Sequence, residues 1–412
     1  MNQLTDDFHR PRKVPGFVSH RMARGRMDLE IHAGVLSEDE LFVMAERENP
    51  KRGFLFVSKV LGRHIPVTAA RHRRILQLLA GMARPHIAPE GGVLVMGYAE
   101  TAVGLGAGIH DALVDLLPGD ASMGYLPTTR HPQGRAVWFE FSEDHSHATG
   151  HHVLVPSDPA LALIAERART LVLVDDEVTT GKTFLNLIRA AVAAGRSFDR
   201  IVLVTLTDWS NGRVAGTIRD ELGPGTDVRI VSLMRGTWSW TPTADAAAAT
   251  IPVLEGSGPA GSIASDAGAW RGGIAGRTES LLDPIRHMVE PSWSRHRGAL
   301  VIGTGEYVWQ AFRLAEDLQA LGIDASFIAT TRSPILGGGP IVHKATFRDH
   351  YGIGVPMYLH NVYPEDWGQI ILLGEGDAMD ALDPVLTDYI RNFILISHNG
   401  EVTKYLEGEP RA

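Results

Sequence analysis

Two adjacent carboxylates, followed by a run of hydroxyl and glycine residues, form the stretch of this sequence best suited to chemistry. The acids are Asp175 and Asp176, and the run that follows is Thr179-Thr180-Gly181-Lys182-Thr183. Paired carboxylates accept hydrogen bonds from sugar hydroxyls or hold a cation through water. Backbone N–H groups and hydroxyls at a helix start bind phosphate. The stretch therefore predicts a site for a phosphorylated ribose.

The end of this run, Gly181-Lys182-Thr183, is also the end of a Walker A loop. A Walker A loop requires a further glycine five residues before Gly181, because its backbone must wrap closely around the phosphates. The chain has Asp176 at that position. The Walker A interpretation therefore fails.

The elements on either side must position these residues. Leu171 to Val174 is an apolar run without alternation, typical of a strand buried on both faces of a parallel sheet. From Phe184 the apolar residues follow helical spacing, and Gly195 is a helix stop. The polar turn thus falls outside the carboxyl end of a sheet, where open α/β folds bind ligands.

A second strand–turn–helix unit lies at residues 92–110, GVLVMGYAETAVGLGAGIH. Its predicted strand ends at Met96, and small residues in the following helix allow a backbone to approach a ligand closely. The predicted turn after the strand contains Tyr98, Ala99, Glu100 and Thr101.

Residues 126–152 are polar and predict a long functional loop between two strands. This loop contains Arg130 and a histidine-rich end. A zinc site is one interpretation of that end, although no His-x₃-His helix supports it. Its candidate ligands are Glu143, Asp144, His145, His147, His151 and His152.

The stretch 171–183 resembles the 5-phosphoribosyl 1-diphosphate (PRPP) motif of type I phosphoribosyltransferases: four apolar residues, two acids and a phosphate loop. The resemblance implies that Asp175 and Asp176 face the ribose hydroxyls, that Thr179 to Thr183 hold the 5′-phosphate, and that the turn at 98–101 binds pyrophosphate. It also implies a mobile loop in which Arg130, with His145 or His147, acts on the departing pyrophosphate. Purine-salvage members of the family often carry an acid where this chain has Thr179. The difference weakens an assignment of this chain to purine salvage.

Residues 37–48 predict a helix, and residues 53–67 predict one or two short strands. Lys59, Arg63 and His64 lie in the strand region. They belong either to a solvated strand edge or to a hood over the substrate, and the sequence favours neither.

A second α/β module starts at Ala299, with apolar strands that each end in a polar, glycine-containing turn. One strand ends on Thr331-Arg332-Ser333-Pro334, where Arg332 is a candidate to bind an anionic ligand or to pair with an acid such as Glu306. These four residues, with GTGEY (303–307), DHYG (349–352) and PMYLHNV (356–362), resemble the TRSP domain. That domain follows a type I-like phosphoribosyltransferase associated with tellurite-resistance (Ter) type stress gene clusters. The resemblance of this chain to that subgroup implies a role in making a nucleoside-like metabolite.

The predicted fold class is α/β, a type I phosphoribosyltransferase with a Rossmann-like parallel sheet followed by a second Rossmann-like α/β domain. The predicted divisions are a phosphoribosyltransferase domain at 1–245, a linker at 246–292, and a TRSP domain at 293–412. The reaction implied by the resemblance is transfer of phosphoribose from PRPP to a small acceptor, with Mg²⁺ entering on PRPP. The alternatives are a PRPP- or nucleotide-sensing regulator without turnover and pyrophosphate-dependent phosphorolysis of a nucleotide.

Composition sets limits on the other functions. The chain has 412 residues, a formal net charge of −9 and no cysteine, which excludes disulfides and thiolate catalysis and argues against general nucleic-acid binding. No apolar run predicts a signal core or a membrane span, so a cytoplasmic location is expected. Dimers are common in the family that the chain resembles, which makes a homodimer an expectation.

Overall fold

The computed structural model of the chain describes residues 16–47, 52–132, 134–142, 150–243, 269–351, 355–375 and 382–406. Within these ranges, none of the helices has the length and apolar composition needed to cross a membrane.

The first module, from Gly16 to Pro242, consists of thirteen strands and six helices in the described residues. In chain order they are β1 (Gly16–Met22), β2 (Gly25–Gly34), α1 (Glu38–Leu41), β3 (Phe42–Glu46), β4 (Phe54–Ser58), β5 (Val67–Thr68), α2 (Ala69–Ala83), β6 (Val93–Gly97), α3 (Val103–Val114), β7 (Met123–Tyr125), β8 (Thr128–Thr129), β9 (Val137–Ser142), β10 (Gly150–Leu154), α4 (Pro159–Arg167), β11 (Thr170–Val178), α5 (Lys182–Ala193), β12 (Arg200–Asp208), α6 (Arg213–Leu222) and β13 (Asp227–Pro242). A 3₁₀ turn at Arg84–His86 follows α2.

The second module opens with three 3₁₀ turns, Ala269–Gly272, Asp283–Met288 and Pro291–Ser294. Its strands and helices are β14 (Ala299–Gly303), α7 (Val308–Ala320), β15 (Ala325–Ala329), β16 (Lys344–Arg348), β17 (Pro356–His360), β18 (Gln369–Gly374), α8 (Pro384–Ile390), β19 (Phe393–Ser397) and β20 (Val402–Tyr405), with a 3₁₀ turn at Pro364–Asp366 before β18.

The first sheet has the order β1-β2-β13-β12-β11-β6-β7. Strands β13, β12, β11, β6 and β7 run parallel, and the β1–β2 hairpin is antiparallel at one edge. Leu171 to Val174 of β11 are fully buried, as expected for a central strand covered on both faces by helices.

The second sheet has the order β20-β19-β18-β14-β15-β5, with β14, β15, β18 and β19 parallel. Its edge strand β5 belongs in sequence to the first module and pairs antiparallel with β15. The α/β class predicted from sequence is therefore confirmed for both modules. The first module nevertheless contributes one edge strand, β5, to the second sheet.

The helices α2, α3 and α7 join the two sheets into one hydrophobic core, which includes Leu76, Leu105 and Phe312. Arg73 of α2 adds polar links, donating to Asp111 of α3 at 2.8 Å and to Glu316 of α7 at 2.6 Å. Because apolar side chains from all three helices are buried together, much of the stabilisation of each module depends on the other.

Residues 269–292, the described part of the predicted linker, pack against both modules. Arg271 and Ile285 are fully buried there, and Ile274 exchanges backbone hydrogen bonds of 2.8 Å with Tyr125 at the edge of the first sheet. The division into domains at 1–245, 246–292 and 293–412 remains a prediction, and this part of its middle segment is an ordered, packed strap.

Two sequence predictions of local structure were wrong in part. The helix predicted over 37–48 ends at Leu41, since Phe42 to Glu46 pair with Phe54 to Ser58 as the β3–β4 hairpin. The long loop predicted at 126–152 contains strands β8, β9 and β10, which form a small antiparallel sheet. In both places cross-strand hydrogen bonds with distant residues outweigh the local sequence preference.

Candidate functional site

The acidic pair and the polar turn lie where β11 passes into α5. Strand β11 continues past the acids to Val178, so Asp175 and Asp176 lie within the last part of the strand. Gly181 has φ +75° and precedes α5, and a Cβ at that position would lie 2.5 Å from Val214 Cγ1. Only glycine therefore fits the position. The first N–H groups of α5 point toward this turn, as phosphate binding requires.

Asp176 has an unusual electrostatic environment. The carboxyl is half-buried, and its backbone N–H donates to Asp175 Oδ1 at 2.9 Å. Burial, together with the neighbouring Glu177 carboxylate, raises the pKa of Asp176 to about 6. Glu177 itself pairs with Arg52 at 2.6 Å, so the charge of this acid is already compensated. Asp176 is thus an acid that binding of a cation or donor would help to ionise.

The turn after β6 lies directly beside this site. Strands β6 and β11 pair in parallel, with Gly97 opposite Val174, and the Tyr98 N–H donates to Val174 O at 3.1 Å. The Tyr98 hydroxyl reaches the Thr183 carbonyl oxygen at 3.4 Å. The structure therefore brings the two sequence-predicted turns together at the carboxyl edge of one sheet.

The residues of the two turns differ in their burial and in their contacts. The Tyr98 ring is buried against Phe141, His151 and Phe184. The Ala99 N–H donates to Thr128 Oγ1 at 2.9 Å, and a cis peptide bond joins Ala99 to Glu100. Thr101 is half-buried, as are Thr179 and Thr183, whereas Thr180 and Lys182 are exposed.

The β3–β4 hairpin, which we call the hood hairpin, covers the carboxyl edge next to the acids. Phe42 and Phe56 of the hairpin pack on Trp209 at the end of β12, with ring centroids 5.9 and 5.0 Å away. A small cavity remains between the hairpin and the strands β11 and β12. Its lining residues are Leu41, Phe42, Phe56, Ser58, Asp176, Glu177, Leu206 and Thr207.

The three basic residues of the 53–67 region do not share one environment. Arg63 and His64 are buried, so neither lies on a solvated strand edge. Lys59 lies at the surface and donates to the Asp39 carbonyl oxygen.

Arg332 reaches the turn after β6 from the other sheet. Its Nε donates to Glu100 Oε2 at 3.0 Å, and both side chains are mostly buried. Arg332 thus pairs with an acid, as one of the two sequence interpretations expected, although the acid is Glu100 and not Glu306. Binding of a ligand by Arg332 remains a prediction.

Arg130 lies on the same side of the site. Its backbone N–H donates to Glu306 Oε1 at 2.8 Å, and its guanidinium reaches the Gly150 carbonyl oxygen at 3.2 Å. His145 and His147 lie outside the described residues, so their predicted roles stay predictions.

The zinc interpretation also stays open, since four of its candidate ligands, in 143–149, lie outside the described residues. Within the ranges that the structure describes there is no group of three His, Asp or Glu side chains that could hold a metal. His151 is buried and stacked on Phe141. His152 lies 3.4 Å from Glu140.

Family models match most of this architecture. Residues 41–237 match the model described as "Phosphoribosyl transferase", and residues 271–389 match that described as "TRSP domain C terminus to PRTase_2". The chain is a phosphoribosyl transferase-family protein with a C-terminal TRSP domain. This confirms the resemblance drawn from the motifs at 171–183 and 331–334.

Several solved structures are similar to part of the chain. Adenine phosphoribosyltransferase from Rhodothermus marinus is 16% identical with a TM-score of 0.29, over 47% of this chain and 94% of that one. Orotate phosphoribosyltransferase from Mycobacterium tuberculosis, in complex with inorganic phosphate, is 16% identical with a TM-score of 0.27, over 47% and 89%. APRTase from Giardia lamblia, complexed with 9-deazaadenine, is 17% identical with a TM-score of 0.29, over 48% and 95%. No curated protein matches the chain.

Sequence reasoning missed a buried charged cluster between the phosphoribosyltransferase and TRSP parts. Arg271 lies at its centre, donating to Glu306 at 3.0 Å and to Glu375 at 2.8 Å. Thr129 of the phosphoribosyltransferase part donates to Glu306 at 2.6 Å. Arg271 lies in a segment that the sequence analysis interpreted as a linker. The only sequence signal of packing there is the neighbouring large aromatic residue Trp270, over whose ring the Arg271 guanidinium lies.

A surface cavity of about 650 Å³ lies at the opposite, amino-terminal edge of the first sheet, where β6, β7 and β11 begin. Its walls include Glu90, Asp120, Leu163 and Arg167, and none of the predicted site residues. The carboxyl edge is the better candidate, because the acidic pair and both turns converge there.

Proposed function

We propose that the protein transfers phosphoribose from PRPP to a small acceptor and releases pyrophosphate. One observation carries the proposal: in a phosphoribosyl transferase-family chain, the acidic strand end and two ligand turns lie side by side at one sheet edge. This edge offers one region for a sugar beside two regions for phosphate groups, and PRPP carries those three groups.

Each predicted residue then has a role. Asp175 and Asp176 accept hydrogen bonds from the ribose hydroxyls, and Thr179, Thr180, Gly181, Lys182 and Thr183 hold the 5′-phosphate with hydroxyls and helix-start N–H groups. The turn of Tyr98, Ala99, Glu100 and Thr101 receives the pyrophosphate. Displacement at the anomeric carbon builds positive charge on the ribose ring, and the two carboxylates stabilise it electrostatically.

The acidic strand end fits a magnesium ion that arrives with the substrate. Asp175 and Asp176 are adjacent carboxylates, the hard oxygen donors that Mg²⁺ prefers, and two side chains suit an ion that keeps waters and substrate oxygens as its other ligands. When bound, the ion would neutralise phosphate charge. Asp175 and Asp176 would hold it while they orient the ribose.

The acceptor would enter beside the hood hairpin. The cavity between the hairpin and β11 has apolar walls from Phe42, Phe56 and Leu206, and it is polar at Asp176 and Glu177. Its volume of about 20 Å³ has room for about one water molecule, so the hairpin would have to move outward to admit an acceptor. The resemblance to the Ter-associated subgroup supports a nucleoside-like product. Arg130, with His145 or His147, would act on the departing pyrophosphate.

The direct test is to incubate the full-length protein with Mg·PRPP and a host metabolite extract. Released pyrophosphate would be measured by a coupled assay, and new phosphoribosylated products by mass spectrometry. We expect pyrophosphate release to accompany a product heavier than its acceptor by one phosphoribosyl group. Tight PRPP binding with no pyrophosphate release from any fraction would instead identify a sensor. PRPP formation from a nucleotide and pyrophosphate would identify the reverse reaction.

A further inference from the structure

Glu100 is a carboxylate inside the turn that we propose receives pyrophosphate. An acid in that position repels a polyanionic ligand unless neighbouring cations neutralise it. Its Oε2 accepts from Arg332 Nε at 3.0 Å, and its Oε1 accepts from Arg63 Nη1 at 3.3 Å. Both cations come from outside the turn, and Arg332 comes from the TRSP domain.

Arg63 ties the same turn to the TRSP domain through its backbone. Its Nη2 donates to the Glu100 carbonyl oxygen at 2.5 Å. Its Nη1 donates to the carbonyl oxygens of Gly305 at 2.6 Å and Thr330 at 2.9 Å. Gly305 and Thr330 follow β14 and β15, so the carboxyl edges of the two sheets meet at this arginine. Arg63 is only 2% exposed.

The electrostatic balance at Glu100 depends on these arginines. Burial raises the pKa of Glu100, but the guanidinium groups of Arg63 and Arg332 outweigh burial and leave the pKa below its ordinary value. The acid is therefore ionised at neutral pH and compensated by both neighbours. Removing one arginine leaves a buried carboxylate with half of its compensation.

We propose that Arg332 of the TRSP domain is a positioning residue for phosphoribosyl transfer. By neutralising and fixing Glu100, it holds the turn at 98–101 in a conformation and charge state that accept the pyrophosphate group of PRPP. The inference rests on the proposed function of that turn. It makes the TRSP domain a structural part of the transferase site, so that the site is incomplete without it.

The same contacts distinguish this role from direct ligand binding. If Arg332 bound the ligand itself, replacing Glu100 would not compensate for its loss. If Arg332 acts through Glu100, an unpaired carboxylate causes the damage, and neutralising that carboxylate repairs it. The rescue by a second substitution is therefore the decisive measurement, since a merely structural residue would show additive damage.

The experiment measures binding of Mg·PRPP and of Mg·pyrophosphate to the full chain by calorimetry. We expect Arg332→Ala to weaken both by about tenfold to a hundredfold, the effect of a charge-assisted bond lost beside an anion. Arg332→Lys should lose less because the charge remains. Adding Glu100→Gln to Arg332→Ala should recover most of the lost affinity.

A matched control is Arg348→Ala, which removes an arginine that donates to Asp383 at 3.0 Å in the TRSP domain, away from the turn. It should leave both affinities unchanged, and thermal melting of every variant monitors folding. If Arg332→Ala does not fold, the same comparison of affinities is made between Arg332→Lys alone and Arg332→Lys combined with Glu100→Gln. Unchanged affinities in Arg332→Ala, or no recovery with Glu100→Gln, would overturn the inference while the proposed function stands. A wild type that binds neither ligand would overturn the proposed function, and the inference with it.

Discussion

The Asp176 carboxyl group is costly to keep ionised in the free protein, because it is half-buried beside Glu177. The same carboxyl lies where the proposed ribose and its cation would bind. Acids with raised pKa values are found disproportionately at functional sites, where interactions with a ligand offset the free-energy cost of ionising a buried carboxyl group. At the scale of one residue, binding and stability should therefore respond in opposite directions to its removal.

Asp176→Asn should weaken Mg·PRPP binding by about 1.5–3 kcal/mol, the range for a charge-assisted hydrogen bond. Calorimetry on the full chain provides the measurement. Asp199→Asn is the control, since Asp199 is an exposed acid paired with Arg169 at the opposite edge of the same sheet. Equal affinities of wild type and Asp176→Asn would show that this acid does not contact PRPP.

The same substitution should stabilise the free protein at neutral pH. The pKa of Asp176 is raised from an ordinary value of 3.8 to about 6, so the native state binds the proton more tightly than the unfolded chain does. Native stability then falls as pH rises between these two values and is level above the higher one. Relative to Asp176→Asn, wild type should lose roughly 1–3 kcal/mol across this window.

Urea unfolding at a series of pH values measures this difference. A difference between wild type and variant that does not change with pH would contradict the raised pKa.

At the scale of an element, the start of helix α5 depends on Gly181. An alanine there would have a positive φ and a Cβ 2.5 Å from Val214 Cγ1. Gly195, just after the same helix, also has a positive φ, but a Cβ there meets nothing within 4 Å. The two glycines therefore separate backbone strain from steric clash.

Gly181→Ala should destabilise the protein by about 2–4 kcal/mol, the sum of left-handed backbone strain and overpacking. Gly195→Ala should cost only the strain, about 1–2 kcal/mol. Urea unfolding of both variants makes the comparison. Gly181→Ala should also weaken Mg·PRPP binding, because the phosphate turn must shift, whereas Gly195→Ala should not. Equal losses of stability would show that α6, which contains Val214, moves to accommodate the methyl group.

At the scale of the whole molecule, the two modules are joined by the buried cluster around Arg271. Burial raises the pKa of both Glu306 and Glu375, but Arg271 together with the other groups that hydrogen-bond to each acid outweighs burial and leaves each pKa below its ordinary value of 4.5. A lowered pKa means that the stability contributed by these acids is complete above 4.5 and is lost as pH falls through the native pKa. The contact between the two modules should therefore become less stable at acidic pH.

Arg271→Ala should destabilise the whole chain by about 3–5 kcal/mol, because it leaves two buried carboxylates without their shared cation. Arg277→Ala is the control from the same strap, since Arg277 is about half exposed and pairs with Asp115. Its removal should cost no more than about 1 kcal/mol. Denaturant unfolding measures both. Similar small losses would show that Arg271 does not hold the modules together.

The sequence by itself determined the elements that carry the candidate site. Apolar runs identified β6 and β11 of the first sheet and the parallel strands of the second module, since central parallel strands are buried along their whole length and have a uniformly apolar composition. The family resemblance implied that the turns after β6 and β11 bind one ligand, whereas the pairing of these two strands came from the structure. The family resemblance was confirmed by the family models over residues 41–237 and 271–389.

Only the tertiary structure decided which charged groups meet. Arg332 and Glu100 are 232 residues apart, and Arg271 reaches Glu375 across 104. Phe42 to Glu46 became a strand despite helical spacing, because Phe54 to Ser58 were available to pair with them. Local patterns encode burial and turns, whereas the partner of a buried charge depends on how whole sheets pack. That dependence is why the meeting of the two modules at Glu100 was absent from the sequence interpretation.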